Sequence, residues 1–256
     1  MGTLEFLGTG TSTGVPMIGC RCSVCSSKDP HNNRLRASAL VKIKGKVILI
    51  DTGPEFRLQA LRANLTGVDG VLLTHTHADH VAGFDDLRAF NFVNGERVKV
   101  FGSPETVEII KHNYSYIFGE AIQVGGGLPK IDLIASRDTF YIDDIKVTPI
   151  PIWHGKVLVY GYRIGQMAYV TDFNRLEEKS LELLKGLDLL VLGALRYRPH
   201  ATHLNIDQAI SLVESLQPQR AYFTHLSHDI EHERVTRRLQ NNIFLAYDGL
   251  KLSFQD

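Results

Sequence analysis

The sequence predicts an α/β fold in which mixed β-sheets carry helices on their outer faces. Three observations point there. Short apolar, β-branched runs recur along the whole chain, helical patterns fall between them, and hairpins sit among the strand–helix units. The clearest hairpin is Leu40–Ile50, turning at Lys44-Gly45. No tandem repeat, low-complexity tract or Pro/Gly/Ser-rich linker interrupts the pattern, so residues 1–256 read as one domain.

Taken in order, Leu4–Leu7 is the first expected strand, running into the glycine-rich stretch Gly8–Gly14. Ala39–Ile43 and Val47–Ile50 follow, then a helical pattern over Glu55–Asn64 and the strand Gly70–Leu73. A second helical pattern covers Phe84–Phe92 and precedes the strand Val98–Phe101. Pro104 after Ser103 is a favoured first helical residue, and that helix is expected to reach Tyr116. Gly125-Gly126-Gly127 reads as a loop near the midpoint. The second half carries strands at Thr139–Ile142, Ile145–Ile152, Val159–Ile164, Met167–Val170, Leu187–Leu192, Ala221–Phe223 and Ile243–Ala246. Its helices are Leu176–Leu184, Ile206–Leu216 and Glu231–Leu239. Asn205 before Ile206, with Gln208 three residues on, has the form of a capping box.

Lys+Arg and Asp+Glu both number 28, so the formal net charge is zero, which opposes a long nucleic-acid substrate bound through its phosphates. No segment approaches the ~18 consecutive apolar residues of a membrane span, and MGTLEFLGTG lacks the regions of a secretory signal. Only three cysteines occur, all between 20 and 25, too close and too few for a disulfide framework. These features predict a cytoplasmic protein. A homodimer is compatible with them, although the oligomeric state does not follow from the sequence.

The eleven histidines carry the chemistry. Thr74-His75-Thr76-His77-Ala78-Asp79-His80 directly follows the strand Gly70–Leu73, at a strand's carboxyl end, where α/β sheets place ligands. It offers three imidazoles and a carboxylate within six residues, a donor set suited to zinc, manganese or iron(II). Cys20-Arg21-Cys22-Ser23-Val24-Cys25 is a second candidate, placing three thiolates within reach of one ion. A structural zinc closes with a fourth ligand. His228 is the best fourth ligand, with His31 the local alternative.

His75–His80 resembles the H-x-H-x-D-H signature of the metallo-β-lactamase superfamily. The other family elements occur in order: Asp51-Thr52-Gly53, His154 in Trp153-His154-Gly155, Asp172 in Thr171-Asp172-Phe173, and His225 in Thr224-His225-Leu226. The resemblance implies an αβ/βα sandwich of two mixed sheets flanked by helices. It also implies two divalent catalytic metals, Zn or Mn. His75, His77 and His154 would hold one, Asp79, His80 and His225 the other, and Asp172 would bridge them. Ions about 3.5–4 Å apart can share a hydroxide and clamp an in-line displacement. Asp51 would fix the His75–His80 loop from behind rather than bind metal.

The cysteine cluster together with His225-Leu226-Ser227-His228 resembles the PhnP-type phosphodiesterases, a branch in which a structural zinc accompanies the dinuclear site. Cys20, Cys22, Cys25 and His228 would then form a structural zinc loop over about residues 20–31. The segments Leu7–Gly14, Pro199–Leu204 and Ala246–Gly249 share the resemblance. It implies a metal-dependent phosphodiesterase, like the phosphoribosyl 1,2-cyclic phosphate phosphodiesterases. The expected substrate is a small cyclic or nucleotide-like phosphodiester. His203 is the candidate general acid, as the corresponding loop histidine of the related tRNase Z enzymes suggests, with His200 as a weaker alternative and Asp172 completing the catalytic pair. A His titrating near neutrality suits proton donation. The Gly8–Gly14 loop offers backbone N–H groups that could approach a phosphate, but it is no Walker loop.

Rival readings are a tRNase Z-like endoribonuclease, whose tRNA-binding arm is at most hinted at by Gly125–Lys130, and a glyoxalase II-like thioesterase, which lacks here a clear helical substrate domain after His225. A secreted β-lactamase fits poorly without an export signal. Only 52 residues separate Asp172 from His225, too few for the insertion of a β-CASP nuclease. A non-catalytic metal-binding protein is the non-enzyme alternative.

Overall fold

A computed structural model describes residues 1–119, 127–240 and 242–256. The first half forms a seven-stranded sheet from β1 (Gly2–Gly8), β2 (Ser38–Ile43), β3 (Lys46–Ile50), β4 (Gly70–Leu72), β5 (Val98–Gly102) and β6 (Ile131–Ala135), closed by the C-terminal strand β14 (Lys251–Phe254). Its order is β14-β1-β2-β3-β4-β5-β6. The second sheet, β13-β12-β11-β10-β9-β8-β7, uses β7 (Phe140–Ile142), β8 (Ile145–His154), β9 (Val157–Ile164), β10 (Met167–Val170), β11 (Leu189–Gly193), β12 (Arg220–Thr224) and β13 (Ile243–Leu245). In each sheet one half pairs antiparallel and the other parallel, so both are mixed as expected.

Alternation along the strands explains the layers. Ile48 and Ile50 of β3 face the second sheet, packing in one cluster with Val147, Tyr162, Tyr169 and Val191. Leu49, between them, points outward to α1 (Phe56–Arg62) and α4 (Pro104–Asn113), beside Phe56 and Ile110. On β11, Leu189 and Val191 face inward, while Leu190 and Leu192 pack under α7 (Ile206–Leu216) against Ala209 and Val213. Such strands are buried on both faces, which is why they read as continuous apolar runs. This is the two-sheet sandwich with outer helices that the family resemblance implies.

The helix caps form as expected. Ser103 Oγ accepts the Thr106 amide at 3.0 Å, and Asn205 and Gln208 complete a reciprocal capping box. Several expected helices are shorter. Phe84–Phe92 divides into a 3₁₀ turn, Phe84–Leu87, and α3 (Arg88–Asn94), and the helix expected to reach Tyr116 breaks at Tyr114 before α5 (Ser115–Phe118). α6 (Glu178–Leu183) and α8 (His232–Thr236) also fall short of their patterns. Neither α2 (Ala78–Val81), a single turn inside the histidine motif, nor the 3₁₀ turn Pro30–Asn32 is anticipated by the sequence patterns. Gly125 and Gly126 of the midpoint glycine run lie outside the described residues.

Two glycines make close approaches that position the site. A Cβ on Gly53 would lie 2.4 Å from the Asp79 carbonyl oxygen, and one on Gly83 would lie 2.3 Å from the Gly53 carbonyl oxygen. The Asp-Thr-Gly turn therefore sits flush against the histidine loop, held by Thr52 N to His80 O at 2.7 Å and Gly83 N to Thr52 O at 2.8 Å. Gly53→Ala is expected to cost about 1–3 kcal/mol, because backbone rather than a flexible side chain must move. Thermal denaturation should show a lowered Tm.

Candidate metal centre

Asp51, Asp172 and His225 each follow a strand that pairs in the parallel part of its sheet, and each has a left-handed backbone, with φ of 61°, 56° and 57°. Asp and His enter that region more readily than bulky or β-branched residues. The reversal turns their side chains in over the sandwich edge, where His75 follows β4 and His154 ends β8.

The histidines and carboxylates converge there. The donor atoms of His75, His77 and His154 lie within 4.8 Å of one another, and so do those of Asp79, His80 and His225. Asp172 joins the two groups: it clusters with His75 and His80, and also with His154 and His203. His225 Nε2 is 3.1 Å from Asp172 Oδ1 and 3.5 Å from Asp79 Oδ2. His80 Nε2 is 3.3 Å from a carboxylate oxygen of each aspartate. All seven expected ligands are thus gathered. His77 alone is exposed and Asp79 half-exposed; the others are buried.

The tautomers follow from donor–acceptor bookkeeping. Asp51 Oδ1 accepts the Thr74 amide at 2.8 Å and Oδ2 accepts the Thr74 hydroxyl at 2.7 Å. Oδ2 also accepts His80 Nδ1–H at 2.7 Å. With its hydrogen committed to Asp51, Thr74 Oγ1 can only accept from His75 Nδ1, 3.0 Å away. His154 Nδ1 donates to the Thr202 carbonyl at 2.9 Å. Each arrangement turns Nε2 of His75, His80 and His154 toward the centre, the orientation an imidazole needs to bind a metal. Asp51 thereby meets His80 directly and His75 through the Thr74 hydroxyl. Thr74 and the Thr202 carbonyl, to which the sequence reading assigned no role, are the other supports. Thr74 had a legible signal as a polar residue between an apolar strand and the first histidine, whereas a backbone carbonyl carries none.

Charge and burial fit a cation. Buried His75 Nε2, His80 Nε2 and both ring nitrogens of His225 lack a hydrogen-bond partner, a costly state that a metal would relieve. Burial opposes the ionised form of Asp172, but the charges of His225 and His80 outweigh it and hold the carboxyl well below the usual range. Burial similarly opposes ionisation of Asp79, yet the rings of His225 and His80 beside it keep it low. Burial pushes His75 well below the usual imidazole range, into the neutral form that binds metal.

His203 stacks on His225 at 5.1 Å and meets His154 edge-on at 4.7 Å, with Nδ1 3.6 Å from Asp172 Oδ1. It therefore lies beside the donor cluster. Burial lowers its pKa to about 3, so it is neutral at pH 7 in the protein alone. His200 is exposed, 4.9 Å from His203, and its Nδ1 receives the Thr202 hydroxyl at 3.2 Å.

The second cluster forms at the adjacent loop. His228 Nδ1 lies 3.2, 3.6 and 3.5 Å from the sulfurs of Cys20, Cys22 and Cys25. A tetrahedral zinc with ordinary Zn–S and Zn–N bonds would place such atoms about 3.6 Å apart. A backbone hydrogen bond from Cys25 lowers the Cys22 thiol to about 6, whereas burial raises Cys25 to about 11. His31, the alternative fourth ligand, turns away and stacks on His232 at 4.6 Å and against Tyr247 at 4.3 Å. Arg34, almost fully buried, joins the two segments. It donates to the carbonyls of His31, Ser227 and Ile230 and to Asn32 Oδ1. The Gly8–Gly14 loop departs from the suggested phosphate cradle. The amides of Gly10, Thr11 and Gly14 are spent on the carbonyls of Leu35, Leu226 and Thr11.

Comparison with known proteins agrees with this geometry. Residues 46–226 match the Beta-lactamase superfamily domain. A crystal structure of a new diphosphatase from the PhnP family superposes with a TM-score of 0.92 at 44% identity, covering 98% of this chain and 96% of that one. The chain belongs to the β-lactamase superfamily and, within it, to the PhnP family. An octanoyltransferase of Porphyromonas gingivalis is 39% identical over 248 residues, which are 96% of this chain but only 50% of that protein; the chain thus spans about half the length of this curated relative. A ribonuclease Z of Methanopyrus kandleri is 26% identical over 294 residues, covering 96% of both chains. No helix among the described residues is long and apolar enough to cross a membrane.

Proposed function

We propose that the protein hydrolyses a phosphoryl P–O bond in a small phosphodiester, cyclic or nucleotide-like. In this reading His75, His77 and His154 hold one divalent ion, Asp79, His80 and His225 a second, and Asp172 touches both. The observation that carries it is the contact of Asp172 with members of both donor groups, in a cluster drawn from four separate chain segments. Zinc or manganese suits such nitrogen and oxygen donors. Bound ions would supply a nucleophile at neutral pH and neutralise charge on the phosphoryl oxygens. A separate structural zinc would sit on Cys20, Cys22, Cys25 and His228.

The chain's own groups do the rest. Asp51, through Thr74 and His80, keeps the imidazoles in their binding tautomers. His203 stands where a departing alkoxide needs a proton. Because burial keeps it neutral, it gains that proton only when a phosphoryl anion sits beside it and favours the cationic ring. His203→Ala is expected to keep metal content and Tm while slowing turnover roughly 10²–10⁴-fold. The loss should be greatest for alkyl leaving groups. An equal loss on aryl and alkyl esters would instead assign His203 to phosphate positioning.

The PhnP-family relative is described as a diphosphatase. A diphosphate bridge presents the same in-line displacement, so diphosphates belong in the test beside cyclic phosphates, dinucleotides, thioesters and pre-tRNA. Metal-dependent cleavage of a generic aryl phosphodiester, with poor thioester and β-lactam turnover, is the expected result. Efficient thioester hydrolysis without diesterase activity would overturn the proposal, and accurate 3′ processing of pre-tRNA would replace it with the ribonuclease Z reading. The zero net charge stands against the latter.

A further inference from the structure

His203 is carried by a loop, residues 196–203, that leaves the body at Leu195 and rejoins it at Leu204, where the Leu195 amide donates to Leu204 O at 3.0 Å. The backbone of His203 makes no hydrogen bond among the described residues, so the placement of its ring depends on how its neighbours are held. Three bonds anchor residues 201–204 to the segments that carry Asp172 and His154. Leu204 N donates to Phe173 O, His154 Nδ1 to Thr202 O, and Asn174 Nδ2 to Ala201 O, each at 2.9 Å. The first is a backbone pair and the second involves a ring of the donor cluster. The third comes from a side chain outside that cluster.

The same side chain also reaches the other way. Asn174 Oδ1 accepts the amide of Gly155, the residue after His154, at 2.8 Å. A backbone amide can only donate and a carbonyl can only accept, so the orientation of the Asn174 amide is fixed and both of its ends are used. Its base is rigid: Asn174 N donates to Trp153 O at 2.9 Å, Trp153 N donates to Arg175 O at 3.0 Å, and Phe173 is buried in the core. The two loops that it joins are in close approach. Gly155 has φ of +63°, and a Cβ there would lie 2.9 Å from Thr202 Cγ2. Asn174, two residues after Asp172, therefore splints the turn that presents His154 to the loop that presents His203. Aspartate has the same shape without the donor, and alanine has neither group.

We propose that Asn174 is a positioning residue. By fixing Ala201 it sets where His203 stands relative to the histidine–aspartate centre, and it acts on turnover through His203. The consequence for turnover rests on the phosphoesterase reading of that centre, whereas the placement of the loop is measured without turnover.

Two variants divide the splint. Asn174→Asp removes the bond to Ala201 O and keeps an acceptor for the Gly155 amide, while Asn174→Ala removes both and adds no charge. Native-state hydrogen exchange of the zinc-loaded protein, followed amide by amide by NMR, is the first measurement. Leu204 is expected to exchange about tenfold faster in both variants, the size of one hydrogen bond, and Gly155 faster in Asn174→Ala alone. Both variants should keep their metal content and a near-wild-type Tm. On alkyl phosphodiesters kcat should fall about 10- to 100-fold with KM within about threefold, because a displacement on the order of 1 Å at a proton donor costs about that much. Added to His203→Ala, either substitution should cost little more than His203→Ala alone, as for residues that act as a unit. Leu204 exchange at the wild-type rate in both variants would overturn the proposal. So would losses that multiply in the double variant, which would place Asn174 outside the route through His203. A wild-type protein that cleaves no diester would sink the phosphoesterase reading instead, and the exchange rates would still decide whether Asn174 holds the loop.

Discussion

Asp172→Asn is expected to lower phosphodiester hydrolysis by at least about 10³-fold, because several kcal/mol of charge stabilisation depend on the one carboxylate in contact with both donor groups. The substitution keeps the shape of the side chain, and one oxygen could still accept the Thr171 hydroxyl, which lies 2.6 Å from Asp172 Oδ2. It removes the negative charge that faces His80 Nε2 at 3.3 Å and His225 Nε2 at 3.1 Å. Elemental analysis should therefore find less metal per chain, with the loss confined to the histidine–aspartate centre and the cysteine-bound zinc retained. Asp51→Asn is the informative control. Asp51 touches the centre only through Thr74 and His80, so a fall of about 10–100-fold is expected. Activity of Asp172→Asn within about tenfold of wild type, with full metal content, would remove Asp172 from the bridging position.

The site was more legible than the scaffold that holds it. Metal chemistry demands particular side chains, and His75, His77, Asp79 and His80 are only six residues from end to end. Asp172 and His225 are legible through the family resemblance, in Thr171-Asp172-Phe173 and Thr224-His225-Leu226, each just past an apolar strand. What the sequence reading could not supply was the orientation of the rings. Nothing in the residue types says that Thr202 offers its carbonyl to His154, or that Asp51 reaches the centre through a hydroxyl. Arg34 was passed over for a similar reason. An arginine is ordinarily a surface residue, and its burial here depends on carbonyls 193 and 196 positions away.

The strands absent from the sequence patterns, β6 and β14, both lie at a sheet edge. β6 is a parallel edge strand whose five residues are mostly half-buried, so Ile131–Ala135 lacks both the continuous apolar run of a central strand and a clean alternation. β14 does alternate, exposed and buried in turn, but over four residues only, and its register is set by antiparallel pairing with β1 at the far end of the chain. Helix ends failed differently. The apolar periodicity of Phe84–Phe92 persists through a 3₁₀ turn, because the side chains that must be buried are the same in either helix type. The single turn α2 is hidden by its own motif: alternating metal-ligand residue types mask it, and four residues are too few to show helical periodicity.

Cys22→Ser is expected to lower Tm by about 8–16 °C and to remove one zinc per chain. If free zinc stands near 1,000 times the dissociation constant, binding adds about 4 kcal/mol to folding, and each kcal/mol shifts Tm by about 2–4 °C in a chain of this size. Serine keeps the volume but offers a poor zinc ligand, and it cannot replace the thiolate favoured by the Cys25 amide, 3.4 Å from Cys22 Sγ. The consequence should reach the neighbouring centre. His228 is three residues after His225, and Arg34 clamps the carbonyls of Ser227 and Ile230 on either side of it. In the proposed reading the loss of that zinc frees the segment, so the metal content of the histidine–aspartate centre should fall although none of its donors has changed. Two measurements separate this from general instability. Arg34→Ala should loosen the same segment with all four zinc ligands present, lowering Tm while leaving the cysteine-bound zinc largely in place. Ser23→Ala, in the same loop but exposed and outside the ligand set, should leave Tm and both metal populations unchanged. A Cys22→Ser protein with wild-type Tm and zinc content would show that the three sulfurs and His228 converge without holding an ion.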